Sequence, residues 1–374
     1  MKRIVPLILI LSLSAITSTA CFNNNRIDPI SLPGPPAPII IAPESESNQT
    51  PDSGLPESES VSEPGPDFIN PLTGMGTWTD VSNNRPIAIM INNIRTGLPQ
   101  HGISRADIIY ETMVEGGLTR NLAVFQDISS VGIIGSIRSA RPYFVDIAQG
   151  HDAILMHAGG SPDTIRLIRS RKINNIDDLN GPRGRNVFFR DQSRRSRLGS
   201  EHSLMTSGER IANELAGFGY RLEHEPDYKH TLRFLADGIP VRGFSATRVD
   251  VVFSGAKSTT FIYDEASNLY YVEQYGMPSI DANDDTQLSV TNVIVINTSI
   301  SNIPGDNRNR QRVITEGTGS GYYINGGKNT EITWTRNRIT DPFTFTLPDT
   351  SILDLGTGRT YICIIPLSAT PRFE

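Results

Sequence analysis

Apolar and polar positions repeat with different periods in the two halves of this chain. Pro86–Asn92 (PIAIMIN) is apolar almost without a break, as in a strand covered on both faces. Ala106–Glu115 and Leu118–Gln126 read as a strand pair around Gly116-Gly117, and Asp152–His157 (DAILMH) as a further strand. Between these runs the period lengthens. In ARPYFVDIAQG, which follows Ser139, Tyr143, Phe144, Ile147 and Ala148 recur at helical spacing. Ser161-Pro162 opens the helix SPDTIRLIRS with a capping Ser and Pro at the first helical position, and Ser207–Leu215 predicts another helix. Strands alternating with helices predict an N-terminal α/β domain with a mixed sheet over residues 70–226.

From 227 to 374 the runs are short and β-rich: Val249–Phe253, Thr259–Tyr263, Leu269–Gln274, Thr291–Ile296, Gly321–Ile324, Glu331–Thr335 and Tyr361–Ile365. Gly, Asn and Asp turns such as Asn325-Gly326-Gly327 separate them, which predicts a C-terminal domain dominated by antiparallel strands. The expected fold class is therefore α+β.

The first 69 residues follow neither pattern. Lys2 and Arg3 precede an apolar run from Ile4 to Ile16 that ends in Thr17, Ser18, Thr19 and Ala20, the layout of a signal peptide over residues 1–20. A membrane-spanning helix needs about 20 residues, more than this run supplies. Cys21 follows at once, so the segment resembles the lipobox of bacterial lipoproteins, with Ser18 where Leu is usual. The resemblance implies acylation of Cys21 and anchoring at the extracytoplasmic face of the cell membrane. Residues 21–69 read as a disordered Pro/Ser/Glu-rich tether.

Charge sharpens this division. The chain carries 34 Lys+Arg against 40 Asp+Glu, a net of −6. One arginine and eight acids put −7 between residues 22 and 67, and Lys2 and Arg3 add +2, so the rest is close to neutral at −1. That balance argues against nucleic acid as a partner. Two cysteines exclude a disulfide scaffold and any Cys-cluster metal site, and Cys363, in an apolar strand-like run, reads as buried and inert.

Several motifs resemble the YerB-like lipoproteins, a family whose domain has no assigned function. They are Asn70-Pro71-Leu72-Thr73-Gly74, RPIAIMINN from Arg85, ADIIYETMVEGGLTR from Ala106, GSIRSARPYF from Gly135 and HAGGS from His157. FSGAKSTTFIYDEASNLYYV, TNVIVI and TYICIIP continue the likeness to the end of the chain. The resemblance implies an envelope lipoprotein of two domains, but no chemistry.

The residues themselves suggest an anion site. Two expected strand ends, near Arg138 and His157, each run into a helix start, where unpaired N–H groups favour negative charge. Gly159, Gly160 and Ser161 would allow close backbone approach, and Arg120, Arg138, Ser139 and Arg141 supply a gripping set. His157 is a candidate acid or base, or else a hydrogen-bonded core histidine. Glu111 and Glu115, four apart, would share one strand face as a carboxylate pair for acid–base work, or pair with Arg120 or Arg138. Asp146, in mid-helix, is a candidate arginine partner.

Arg183, Arg185, Arg190, Arg194, Arg195 and Arg197, with Asp191 the one acid among them, form a basic loop suited to solvent, anionic lipid or wall polymer. His202 follows, beside the expected pocket. Other motifs lack their context. Ser254-x-x-Lys257 has strand-like sequence on both sides instead of a helix, and Asp281, Asn283 and Asp285 lack the later calcium-loop positions. Gly317–Gly321 fits a hairpin or bulge better than a phosphate loop. No metal and no cofactor is expected.

Together these readings point to a lipid-anchored binding or scaffolding protein that engages a cell-wall polymer or an envelope protein. The alternative is a hydrolase or transferase acting on an anionic envelope glycan, with His157, Glu111 or Glu115 as acid or base. A third reading has the arginines locking the two domains together by ion pairs.

Overall fold

The computed structural model describes residues 65–179, 186–235 and 243–374. The signal, Cys21, most of the tether, and Arg183 and Arg185 of the basic loop lie outside the described residues.

In the first half, β1 (Ile87–Asn92), β2 (Ile108–Met113), β3 (Thr119–Phe125), β4 (Ile154–His157) and β5 (Asn175–Asp177) alternate with α1 (Pro142–Gly150) and α2 (Pro162–Ser170). Helices α3 (Gln192–Leu198) and α4 (Gly208–Leu215) follow. Pro142 and Pro162 sit at the helix starts; Ser161 accepts from Thr164 N to cap α2, and Ser207 accepts from Arg210 N to cap α4. The second half contributes β6 (Phe244–Ser245), β7 (Arg248–Ser254), β8 (Lys257–Asp264), β9 (Leu269–Gln274), β10 (Asn292–Thr298), β11 (Gly317–Asn325), β12 (Lys328–Arg336), β13 (Thr344–Thr346) and β14 (Thr360–Pro366).

One eleven-stranded sheet runs through both halves in the order β6-β12-β11-β10-β14-β2-β3-β1-β4-β5, with β13 also on β12. The join is the parallel pairing of β14 with β2, from Thr360 beside Ile108 to Ile364 beside Thr112. Its central strands are buried along their whole length because both faces are covered. Side chains of alternate parity separate the two cores. Ile87, Ile89, Ile91, Ala123, Val293 and Cys363 face the antiparallel meander β7-β8-β9, whose Val249, Val251, Phe253, Phe261 and Val272 point inward. Ala88, Met90, Leu122, Val124, Ile294 and Ile362 face α1, with Trp334 and Phe343 beside it. The C-terminal half is strand-rich as expected.

One local expectation changes. Glu115 is not on the strand face of Glu111: β2 ends at Met113, and Gly116 and Gly117, with φ of 63° and 74°, turn the chain there. Gly317–Gly321 lies in β11, which forms the expected hairpin with β12, and a Cβ on Gly319 would lie 2.6 Å from Trp334 Nε1. Gly319 makes room for a packed indole.

His151, which closes α1, is buried with its Nε2 2.7 Å from the Tyr110 hydroxyl. Burial pushes its imidazole down to about 3, and Arg336, His230 and His224 act in the same direction. The unfolded chain binds this proton near pH ~6.5, so the neutral folded form loses stability as pH falls below that value. We therefore expect the stability advantage of the wild type over His151→Gln to shrink by ~2 kcal/mol between pH 7 and 5. Urea unfolding at the two pH values checks this; an unchanged difference would exclude the assignment.

Candidate functional site

The segment after the cis Gly135-Ser136 bond lies against β1 and the residues that follow β4. Arg138 N donates to Met90 O (2.9 Å), Ala158 N to Arg138 O (3.1 Å) and Ala140 N to Gly159 O (3.0 Å). Residues 137–141 are thereby held beside the end of β4, and Arg120, opposite Asn92 on β3, reaches them from across β1.

Glu115 stands between two of the arginines. Arg120 donates to Ser139 O (2.8 Å) and to Glu115 Oε2 (3.3 Å), while Arg141 Nε and Nη2 contact Glu115 Oε1. Burial pushes the Arg120 guanidinium down to about 9, with Arg141 adding to the shift and Glu115 opposing it. Arg138 is also held below the ordinary arginine range, first by burial, with Glu201 opposing and Arg141 reinforcing. Three arginines thus face Glu115 and the exposed Glu201, an arrangement short of negative charge.

A cavity of about 360 Å³ opens beside this cluster, lined by Arg138, Ser139, Arg190, Ser200, Glu201, Ile137, Ala158, Leu179 and Leu204. Arg138 Nη1 donates to Glu201 O (2.7 Å); Arg190 donates to Ser200 O (2.6 Å) and pairs with Asp178 (3.3 Å). Beneath it, His202 Nε2 is 3.2 Å from Glu201 Oε1, and its Nδ1 faces Asn92 Nδ2 at 3.0 Å. With the Asn92 amide so oriented, Nδ1 is the acceptor and the proton sits on Nε2. Burial, then Arg138, lowers the His202 pKa against the opposing pull of Glu201.

The other expected site residues have structural surroundings. His157 is wholly buried, with Nδ1 2.8 Å from Gly159 O and Nε2 3.2 Å from Asn175 Oδ1. Gly159, with φ of 66°, donates its N–H to Asp177 (2.7 Å), and Gly160 pairs with Ala140. These contacts and the Ser161 cap shape the turn between β4 and α2. Asp146 pairs with Arg171 at 2.6 Å. Asp281 is buried and accepts from Gly102 N, Ser104 N and Ser104 Oγ at 2.8–3.0 Å.

Glu111 lies apart from the arginines, between the two sheets. Its Oε1 accepts from Asn93 Nδ2 (2.7 Å) and Thr119 Oγ1 (2.6 Å) and lies 3.0 Å from Lys257 Nζ. Its Oε2 accepts from Thr259 Oγ1 and Tyr361 Oη, both at 2.7 Å. Both charged side chains are 0% exposed. Glu111 stood out in the sequence, but Lys257 appeared there only within a Ser-x-x-Lys spacing that lacked its helix, and its pairing with Glu111 was not read. The signal was there in β8: Lys257, Thr259 and Phe261 share one parity and therefore one face. Arg190 stood out only within the basic loop, and Glu201 not at all.

The N-terminal and C-terminal domains described as "Protein of unknown function (DUF3048)" match residues 72–221 and 249–362. A Bacillus subtilis (strain 168) protein named "Putative lipoprotein YerB" is 29% identical over 301 residues, 79% of this chain and 86% of that protein. A crystal structure of YerB protein from Bacillus subtilis matches with a TM-score of 0.69 at 27% identity, over 81% of this chain and 99% of that one.

Removing Glu115 would leave Arg120 and Arg141 facing each other in a half-enclosed site. We expect Glu115→Ala to cost ~1–3 kcal/mol, and Arg141→Ala added to it to recover part of that loss. A thermal double-mutant cycle measures the coupling; strictly additive effects would show that Glu115 does not hold the arginines.

Proposed function

The chain belongs to the two-domain DUF3048 family of unknown function, and from that premise we propose that it is an extracytoplasmic lipoprotein that binds an anionic group. In this reading acyl chains on Cys21 hold it to the cell membrane, the tether over residues 21–69 gives it reach, and the cavity beside Arg138, Ser139 and Arg190 receives the ligand. The carrying observation is the gathering of Arg120, Arg138 and Arg141 about Glu115 and Glu201, with Arg138 and Arg190 lining the adjoining cavity. Arginine forks match phosphate and carboxylate geometry, and partial enclosure strengthens the attraction. The likeness to a protein named as a lipoprotein supports the anchor. Among the described residues no helix is long and apolar enough to cross a membrane.

Binding is favoured over turnover because the proposed acids and bases are occupied or enclosed. His157 and Glu111 are 0% exposed, and Glu115 is held by two guanidinium groups. A wall polymer carrying phosphate or carboxylate groups is the partner class that suits both the site and the location.

Titration calorimetry with inorganic phosphate and glycerol phosphate tests the site. Replacing both Arg138 and Arg190 by Ala should weaken binding at least tenfold, each lost charge-assisted contact being worth about 1.5–3 kcal/mol, while the fold is retained. Equal affinity in the double variant would remove the cavity from consideration. For the anchor, palmitate labelling should mark the wild type and not Cys21→Ala; labelling of both would refute acylation at that residue.

A further inference from the structure

Lys257 does more than neutralise Glu111. Its Nζ, 3.0 Å from Glu111 Oε1, also donates to the carboxamide oxygen of Gln274 on the adjacent strand β9. Gln274 Nε2 donates to Tyr361 Oη (3.1 Å), and Tyr361 Oη donates to Glu111 Oε2 (2.7 Å). The four side chains form a closed ring: amine, carboxamide, phenol and carboxylate. One oxygen of Glu111 contacts the amine, and the other reaches the amide nitrogen through the phenol. Thr259 Oγ1 lies 3.4 Å from the same carboxamide oxygen. Gln274 and Tyr361 are buried like the charged pair, and the rings of Tyr275 and Phe253 lie 4.9 and 5.7 Å from Nζ.

We propose that this ring forms an intramolecular amide bond between Lys257 and Gln274, a covalent tie between β8 and β9. Glu111 takes a proton from the Lys257 ammonium. The neutral amine attacks Cδ of Gln274, the Cδ–Nζ bond forms, and the Cδ–Nε2 bond breaks. Through Tyr361, Glu111 passes this proton and a second one, released by the attacking nitrogen as it becomes the amide, to the departing nitrogen, which leaves as ammonium and carries away the charge that Lys257 brought. Glu111 is again a carboxylate, nothing is oxidised or reduced, and no co-reactant is needed. Burial holds the lysine below its ordinary range, against the pull of Glu111, which favours the neutral amine that the attack requires.

A disulfide could not provide such a tie here. Of the two cysteines in the sequence, Cys21 lies in the lipobox-like segment and Cys363 is buried without a partner. Lysine–carboxamide chemistry needs neither oxidant nor enzyme, which suits a protein outside the cytoplasm.

Tryptic digestion of the full-length protein with tandem mass spectrometry decides the matter. A cross-linked chain gives one peptide over residues 249–308, uncut at Lys257, lighter than its sequence mass by one ammonia and without fragment ions between 257 and 274. In Tyr361→Phe, which keeps the ring but breaks the proton path, a part of the protein should be cut at Lys257. Wild-type protein that yields peptides 249–257 and 258–308 at full mass would overturn the proposal. So would an ammonia loss in a peptide that is still cut at Lys257.

Discussion

The packing of the two sheets has to accommodate one buried charge pair. Glu111 projects from the middle of the large sheet toward the β7-β8-β9 meander, and a carboxylate there costs several kcal/mol unless each oxygen is matched. The match is drawn from distant parts of the chain: Asn93 and Thr119 from the first half, Lys257, Thr259 and Tyr361 from the second. Apolar residues alone would let the meander slide on its neighbour. A carboxylate and an ammonium that must meet at 3.0 Å as the chain folds allow one register. The pair therefore serves specificity of packing more than net stability, as buried ion pairs often do.

The arginine cluster works by a different balance. Arg120 and Arg141 repel each other, and only Glu115 makes their proximity tolerable. A half-buried site with more positive than negative charge is a poor stabiliser and a good receptor, since an arriving anion relieves the repulsion. Its backbone frame is rigid for an independent reason. Residues 137–141 are bonded to β1, to Ala158 and to Gly159, so the side chains are presented by sheet-like hydrogen bonds rather than by a loop.

Local features were legible in the sequence because their causes are local. The Ser161 cap, the two helix-opening prolines, the helical spacing of Tyr143, Phe144 and Ile147, and the unbroken apolar run of β1 each follow from neighbouring residues. Arg120, Arg138, Ser139 and Arg141 were also found, since each adjoins a readable strand or helix end. The partners of Glu111 were not, and of the two arginines that hold Glu115 only Arg120 was read as its partner. Glu115 leaves the strand because two glycines turn the chain, and Glu111 meets Lys257 only because β14 pairs with β2. A parallel pairing between segments some 250 residues apart has no local signature. The buried His157 shows the same limit: a polar residue at a strand end looks identical in sequence whether it faces solvent or, as here, two protein carbonyl oxygens.

That pairing also sets the order of events in biogenesis. β14 occupies the position between β10 and β2, yet its residues follow those of β2 by some 250 positions. Until they arrive, β2 presents an unpaired edge of N–H and C=O groups to whatever lies nearby. The chain is of high contact order, so the sheet closes only once β14 has been made. A protein with this wiring keeps an adhesive margin exposed until then, and holdase chaperones would matter more to its yield than the intrinsic speed of either half.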